Sequence, residues 1–370
     1  MAVERNSAAE WIKILAIVLV VITHAVPDAM NVEGYDNLSP TDNVNFFFIG
    51  LLSGTGLIGD VLFLTCSCWY LSGSNRGASV KKICYMIITV FIVSVIWLVT
   101  VLALGYDLSA GTIVRQIFPT LFQNNWYISY YLVFYAIHPL LNFLINRLDK
   151  LGHGILAGIL FVHCYILMWI TNTQLGVNKL LIFVAAYFAV SWIKRYAAAF
   201  TSSKKANIIL CVCSVAAYLI FKTAINFIGL HTDYFDGKML GYVHIYCPII
   251  LAFAVSLINL ANMKHYINRG VNHVASLSML IYIIHRNVLF ATYIQPRYYE
   301  WVINSFGIEY LIPFIFLLAA ILFAASFALG TLYKFTLGRA VNRLSEMIER
   351  LFMRAVKKYR RQKTGDPSGQ

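Results

Sequence analysis

Long apolar runs separated by short polar connections make up most of the chain. Ten of them approach the ~20 residues that cross a bilayer core, at about 9–27, 46–73, 83–104, 126–146, 154–171, 178–193, 206–228, 241–260, 275–295 and 310–333. The connections alternate in charge. Residues 28–45 carry Asp28, Glu33, Asp36 and Asp42 with no Lys or Arg, whereas 74–82 carry Arg76, Lys81 and Lys82 with no acid. The alternation continues through Lys194, Arg195, Lys204 and Lys205, and the positive-inside rule then predicts both termini in the cytoplasm. Beyond Lys334 the period changes. Val341, Leu344, Ile348, Leu351, Phe352 and Tyr359 recur at helical spacing among Arg343, Arg350, Arg354, Lys357 and Lys358. That pattern predicts a basic amphipathic helix over 334–363 on the anionic inner leaflet. The expected architecture is all-α: a polytopic bundle over 1–333, this cytoplasmic helix, and a disordered tail over 364–370.

Composition agrees. The 370 residues are 60% hydrophobic and 12% charged, with a mean hydropathy of +0.71, far from soluble averages. The first run follows Arg5 like a signal peptide, but Glu4, Glu10 and Lys13 interrupt the charge pattern and no small-x-small cleavage site follows, so a retained helix is expected. A net charge of +13 invites a polyanionic partner, yet ten of the 29 Lys and Arg fall between Lys334 and Lys363 and most others in alternate connections. This is a topology signal that requires no nucleic acid. The seven cysteines all lie inside apolar runs and read as small buried hydrophobes. Neither a phosphate-binding glycine loop nor metal-ligand spacing occurs.

Ionisable residues inside spans are costly, and they mark candidate chemistry. On the first helix Lys13 and His24 are 11 residues apart, which places them on one face about 16 Å apart along the axis. Glu10 shares that stripe one turn below Lys13 and reads as its partner. A histidine near one surface suits general-base work at neutral pH. Asp60, in Leu57-Ile-Gly-Asp60-Val-Leu, is expected level with His24, where a carboxylate can orient the ring. His285 and Arg286 are expected near mid-membrane of the ninth span, with a binding role. Arg76, Lys81 and Lys82 are positive-inside anchors, or the cations available with Lys13 to a phosphorylated donor. Trp126 opens the fourth span, where an aromatic belt is expected, and joins His285 and Arg286 as a candidate for binding the acceptor. His138, His163 and His244 read as structural.

Four segments in order resemble the acyltransferase-3 family of multispan membrane O-acyltransferases, which in bacteria decorate cell-surface glycans. They are Arg5 … Glu10 … Lys13 … His24, the stretch Gly59-Asp-Val-Leu-Phe-Leu-Thr-Cys-Ser67-Cys-Trp-Tyr-Leu71, the stretch Trp126-Tyr-Ile-Ser … His138-Pro139, and Tyr282-Ile-Ile-His285. Lys13 stands where the family has Arg, Glu10 where it has Asp, and Cys68 where it has Gly. The resemblance implies transfer of an acyl group, usually acetyl, from cytoplasmic acetyl-CoA to a hydroxyl of a glycan or lipid-linked glycan at the outer face of the cell membrane. It also implies that His24 and Lys13 match two essential positions. Two rivals remain at this stage: a transporter or flippase, which calls for paired broken helices, and an inactive membrane-anchoring module.

Overall fold

Asn6 starts the first helix by accepting a hydrogen bond from the Ala8 amide at 3.1 Å, with Glu10 in the first turn. This helix, α1 (Ser7–Ala25), lies against much of the remaining bundle. The computed structural model describes residues 5–26, 44–74, 77–171, 178–231 and 244–364. After α1 come α2 (Val44–Leu52), α3 (Thr55–Leu71), α4 (Val80–Ala103), α5 (Ala110–Ile117), α6 (Trp126–Arg147) and α7 (Lys150–Phe161), which continues through a π turn into α8 (Met168–Thr171). There follow α9 (Lys179–Tyr196), α10 (Ala198–Thr201), α11 (Lys204–His231), α12 (Pro248–Asn262), α13 (Arg269–Ser276), α14 (Ser278–His285), α15 (Gln295–Phe306), α16 (Leu311–Phe335) and α17 (Leu337–Thr364). No strand occurs among the described residues.

Seven stretches of these residues are long and apolar enough to cross a membrane: Ser7–Ala25, Phe48–Leu71, Val80–Ala103, Trp126–Arg147, Lys150–Thr171, Lys204–Ile225 and Ile308–Phe335. The chain is therefore a multi-pass helical membrane protein. The expected spans at 178–193 and 241–260 are helical but fall short of that length and apolarity. Lys179, Lys194 and Arg195 fall within the 18 residues of α9, and α12 has only 15 residues.

The expected continuous span at 275–295 is broken. Arg269–His285 and Phe290–Phe306 meet at 54°, with the break directly after His285. No proline lies in it. Instead, buried Asn287 accepts from the Leu289 amide at 2.9 Å and donates to Gln116 of α5 at 3.4 Å, and Ser94 of α4 donates to the same Gln116 oxygen at 2.5 Å. The Asn287 side chain thus satisfies a backbone amide at the break, as nonhelical backbone at membrane depth requires, and Gln116 with Ser94 holds that side chain in place.

Helices α1 and α3 approach closely because α3 offers glycine. A Cβ on Gly59 would collide with the Ala16 carbonyl oxygen and the Val20 side chain, and one on Gly56 would come within 3.0 Å of the Thr23 side chain. Thr23 Oγ1 accepts from the Gly56 amide at 2.5 Å and lies 2.8 Å from Thr55 Oγ1. These contacts set Gly56 opposite Thr23. Asp60, four residues on, therefore sits about one turn deeper toward the Lys13 end than the expected level of His24.

The helix expected on the leaflet surface has a protein partner. In α17, Glu349 accepts from Ser79 Oγ at 3.0 Å and from the Lys81 amide at 3.1 Å, capping the start of α4. Glu346 takes the Lys81 ammonium at 2.6 Å, and that hydrogen bond holds the Glu346 carboxyl below the usual carboxylate range. Val341 is buried, while Leu344, Leu351, Phe352 and Tyr359 remain exposed.

Candidate active site

His24 lies in the last turn of α1, where the backbone ends against α15. Gln295 Nε2 lies 3.0 Å from the His24 carbonyl oxygen and 3.3 Å from that of Val26, and the Tyr299 hydroxyl donates to the Ala25 carbonyl. These donors satisfy carbonyls that a helix end leaves unpaired, so the position of His24 is fixed by contacts to its own main chain. Its ring Nδ1 is 2.9 Å from Nε2 of His285. The other ring nitrogen of His285, Nδ1, is 2.5 Å from the Ile281 carbonyl oxygen one turn back in α14. The Trp97 indole donates to the Ile284 carbonyl at 2.9 Å, anchoring α14 from the other side.

An aromatic wall continues from this pair. The His24 and Tyr282 ring centroids are 6.1 Å apart, and Tyr282 meets Tyr127 edge-on at 6.5 Å. From Tyr127 the wall runs along α6, where Tyr131 stacks on it at 6.3 Å and Tyr135 on Tyr131 at 6.2 Å. The spacing of four residues makes this a single stripe about 12 Å long. Its far end meets cations, because Lys82 Nζ lies 4.2 Å from the Tyr135 centroid and 5.8 Å from that of Tyr131.

Those cations gather around the start of α1. Lys13 Nζ is 2.7 Å from a Glu10 carboxylate oxygen, and Arg5 reaches the other oxygen at 4.0 Å. The charges of Lys13 and Arg5 both act on Lys82. Two cations thus hold one carboxylate and Lys82 adds a third positive charge within their reach, which leaves a net positive field suited to an anion. The Tyr127 hydroxyl and Glu10 Oε2 are buried with no hydrogen-bond partner among the described residues, so polar groups remain available to a guest.

The structure brings together only some of the residues named from sequence. Lys13, Glu10 and Lys82 meet at one end, and His24 and His285 meet at the other. Arg286, at the break, is the charge that acts most strongly on His24. Asp60 is buried by the aromatic wall, where its carboxyl acts on Tyr127, Tyr282 and Lys179, and the place beside His24 Nδ1 belongs to His285. Lys81 turns away to Glu346. Arg76 lies outside the described residues. The Trp126 ring carries Lys179 Nζ above it at 4.2 Å. Sequence reading missed Tyr131, Tyr135, Lys179 and Gln295. The tyrosine repeat was readable at 127, 131 and 135, but aromatic residues on an apolar helix look the same as core. No cluster of three or more His, Cys, Asp or Glu is placed to hold a metal ion among the described residues.

Fold and site together define a multi-pass membrane protein whose first helix carries a cation cluster toward one end and a histidine pair at the other. The chain belongs to the acyltransferase-3 family: the family model, described as an acyltransferase domain, matches residues 6–334. That match covers the whole bundle through α16 and makes the chain a member of a family of membrane acyltransferases. No curated protein and no solved structure matches it.

Proposed function

We propose that the protein transfers an acyl group, acetyl in the simplest case, from cytoplasmic acyl-CoA to a hydroxyl of a glycan or lipid-linked glycan at the outer face of a bacterial cell membrane. One observation carries this reading. The cation cluster and the histidine pair stand at opposite ends of α1, joined by the tyrosine stripe of α6.

Acyl-CoA has a matching layout, with phosphates at one end, a thin polar arm, and a thioester at the other. Its phosphates pair with Lys13, Arg5 and Lys82, and its arm lies along Tyr135, Tyr131 and Tyr127. The thioester then reaches His24. His24 takes the proton from the acceptor hydroxyl, the oxygen attacks the thioester carbonyl, and the C–S bond breaks as the tetrahedral intermediate collapses. The ester leaves on the glycan, and the thiolate regains the proton as CoA thiol. A covalent acyl-histidine is the variant of the same scheme. Arg286 is the charge available to the developing oxyanion. Trp126, with Lys179 above its ring and the Asp60 carboxyl acting on that lysine, borders the acceptor side.

The break after His285 is the one feature that favours a transporter, since such proteins bind at discontinuous helices. It has no bent counterpart among the described residues. Thermal unfolding of the purified chain in detergent separates the readings. Saturating acetyl-CoA is expected to raise the midpoint by several degrees, as about 2.7 kcal/mol of stabilisation at 100-fold over Kd requires. A rise with free sugars or amino acids and none with acetyl-CoA would favour transport.

A further inference from the structure

We propose that His285 is a positioning residue that fixes the tautomer of His24, leaving Nε2 of His24 as the atom that reacts. The inference rests on the acyl-transfer reading only for the identity of the reaction; the geometry stands apart from it.

The argument begins at a backbone carbonyl. The Ile281 oxygen can only accept, so the 2.5 Å contact requires a hydrogen on His285 Nδ1. A neutral imidazole carries one hydrogen, so His285 Nε2 presents a lone pair. That lone pair faces His24 Nδ1 at 2.9 Å. Two lone pairs do not make a hydrogen bond, so His24 Nδ1 must donate. Neutral His24 then has its own lone pair on Nε2, the nitrogen turned away from His285. With the opposite tautomer, Nε2 would carry a hydrogen and have no capacity to accept one from a hydroxyl.

Both rings are held so that this relay is enforced. His285 sits in the last turn of α14, pinned by Trp97 through Ile284, and is 3% exposed. The main chain of His24 is fixed by Gln295 and Tyr299, and its neighbour Thr23 by Gly56 and Thr55. The remaining freedom of the His24 ring is rotation about its own side-chain bonds, and the His285 contact removes it. In a Ser-His-Asp triad a carboxylate accepts from the histidine Nδ1–H and sets the tautomer in the same way. Here a neutral imidazole takes that position and adds no negative charge. Asp60, the carboxylate suggested by sequence, is not needed for it.

Nitrogen-15 NMR of histidine-labelled full-length protein in bilayers, with His24 assigned by its loss in His24→Ala, reads the tautomer directly. Wild type is expected to show His24 with a protonated Nδ1 and a bare Nε2. His285→Gln keeps an acceptor for His24 and a donor for the Ile281 carbonyl, so it is expected to keep the tautomer and a kcat within about tenfold of wild type. His285→Leu keeps neither, so it is expected to release the tautomer and lower kcat on acetyl-CoA by about 10²–10⁴-fold, the range for loss of a positioned base, with KM for acetyl-CoA within about twofold. A protonated Nε2 in wild type, or equal kcat for the Gln and Leu variants, overturns the proposal. The NMR result requires no turnover. A wild-type tautomer as described, in protein that consumes no acetyl-CoA, upholds the His285 assignment and sinks the acyl-transfer reading instead.

Discussion

His24→Ala is expected to lower acyl transfer by about 10³-fold or more while the protein still inserts and still binds acetyl-CoA. A positioned general base contributes about 10²–10⁴-fold, and a nucleophilic role at the same atom would add to the loss. The substitution spares the fold because α15 holds this part of α1 through carbonyls, from Gln295 to His24 and Val26 and from Tyr299 to Ala25. Alanine retains those carbonyls. The variant should therefore elute as wild type on gel filtration and keep the acetyl-CoA thermal shift, since the cations of the donor site lie about 16 Å away. Transfer above a tenth of the wild-type rate would remove His24 from the reaction.

The second large effect is expected at the opposite end of the helix. Lys13→Met should weaken acetyl-CoA binding by about 10–100-fold, the equivalent of ~1.4–2.7 kcal/mol, and it should also destabilise the chain. Glu10 is 5% exposed, Lys13 is its close partner at 2.7 Å, and Arg5 stands off at 4.0 Å. Loss of a hydrogen bond to a buried charged group costs about 1.5–3 kcal/mol. The double variant Glu10→Gln with Lys13→Met removes the stranded carboxylate, so stability should return while donor binding stays weak. Isothermal titration with acetyl-CoA, beside thermal unfolding, measures both quantities. Restored binding in the double variant would mean that Lys13 serves only to neutralise Glu10.

The parts of this arrangement that were legible in the sequence were those that depend on one helix alone. Run length gave the bundle, and a period of 3.6 put Glu10, Lys13 and His24 on one stripe, with Lys13 on Glu10 in the structure. What the sequence concealed depends on contacts between helices. The break after His285 has no proline or glycine to announce it, because its support comes from Gln116 and Ser94 far away in the chain. The depth of Asp60 follows from the register of α1 on α3, set by Gly56 and Gly59. His285 looked like a ligand-binding residue because no local pattern reveals that its partner is a histidine 261 positions earlier. Lys81 looked like an anchor or a cation available to the donor because Glu346, which neutralises it, belongs to a helix whose basic amphipathic spacing assigned it to the lipid surface.

The central claim is that donor chemistry enters at the Lys13 end and the acyl group leaves at the His24 end. It can be tested in sealed vesicles holding the protein in one known orientation, with labelled acetyl-CoA supplied to one compartment and envelope glycan to the other. The label is expected on the glycan only when acetyl-CoA is on the Lys13 side, and not at all with His24→Ala. Equal labelling with acetyl-CoA on the His24 side would contradict the account.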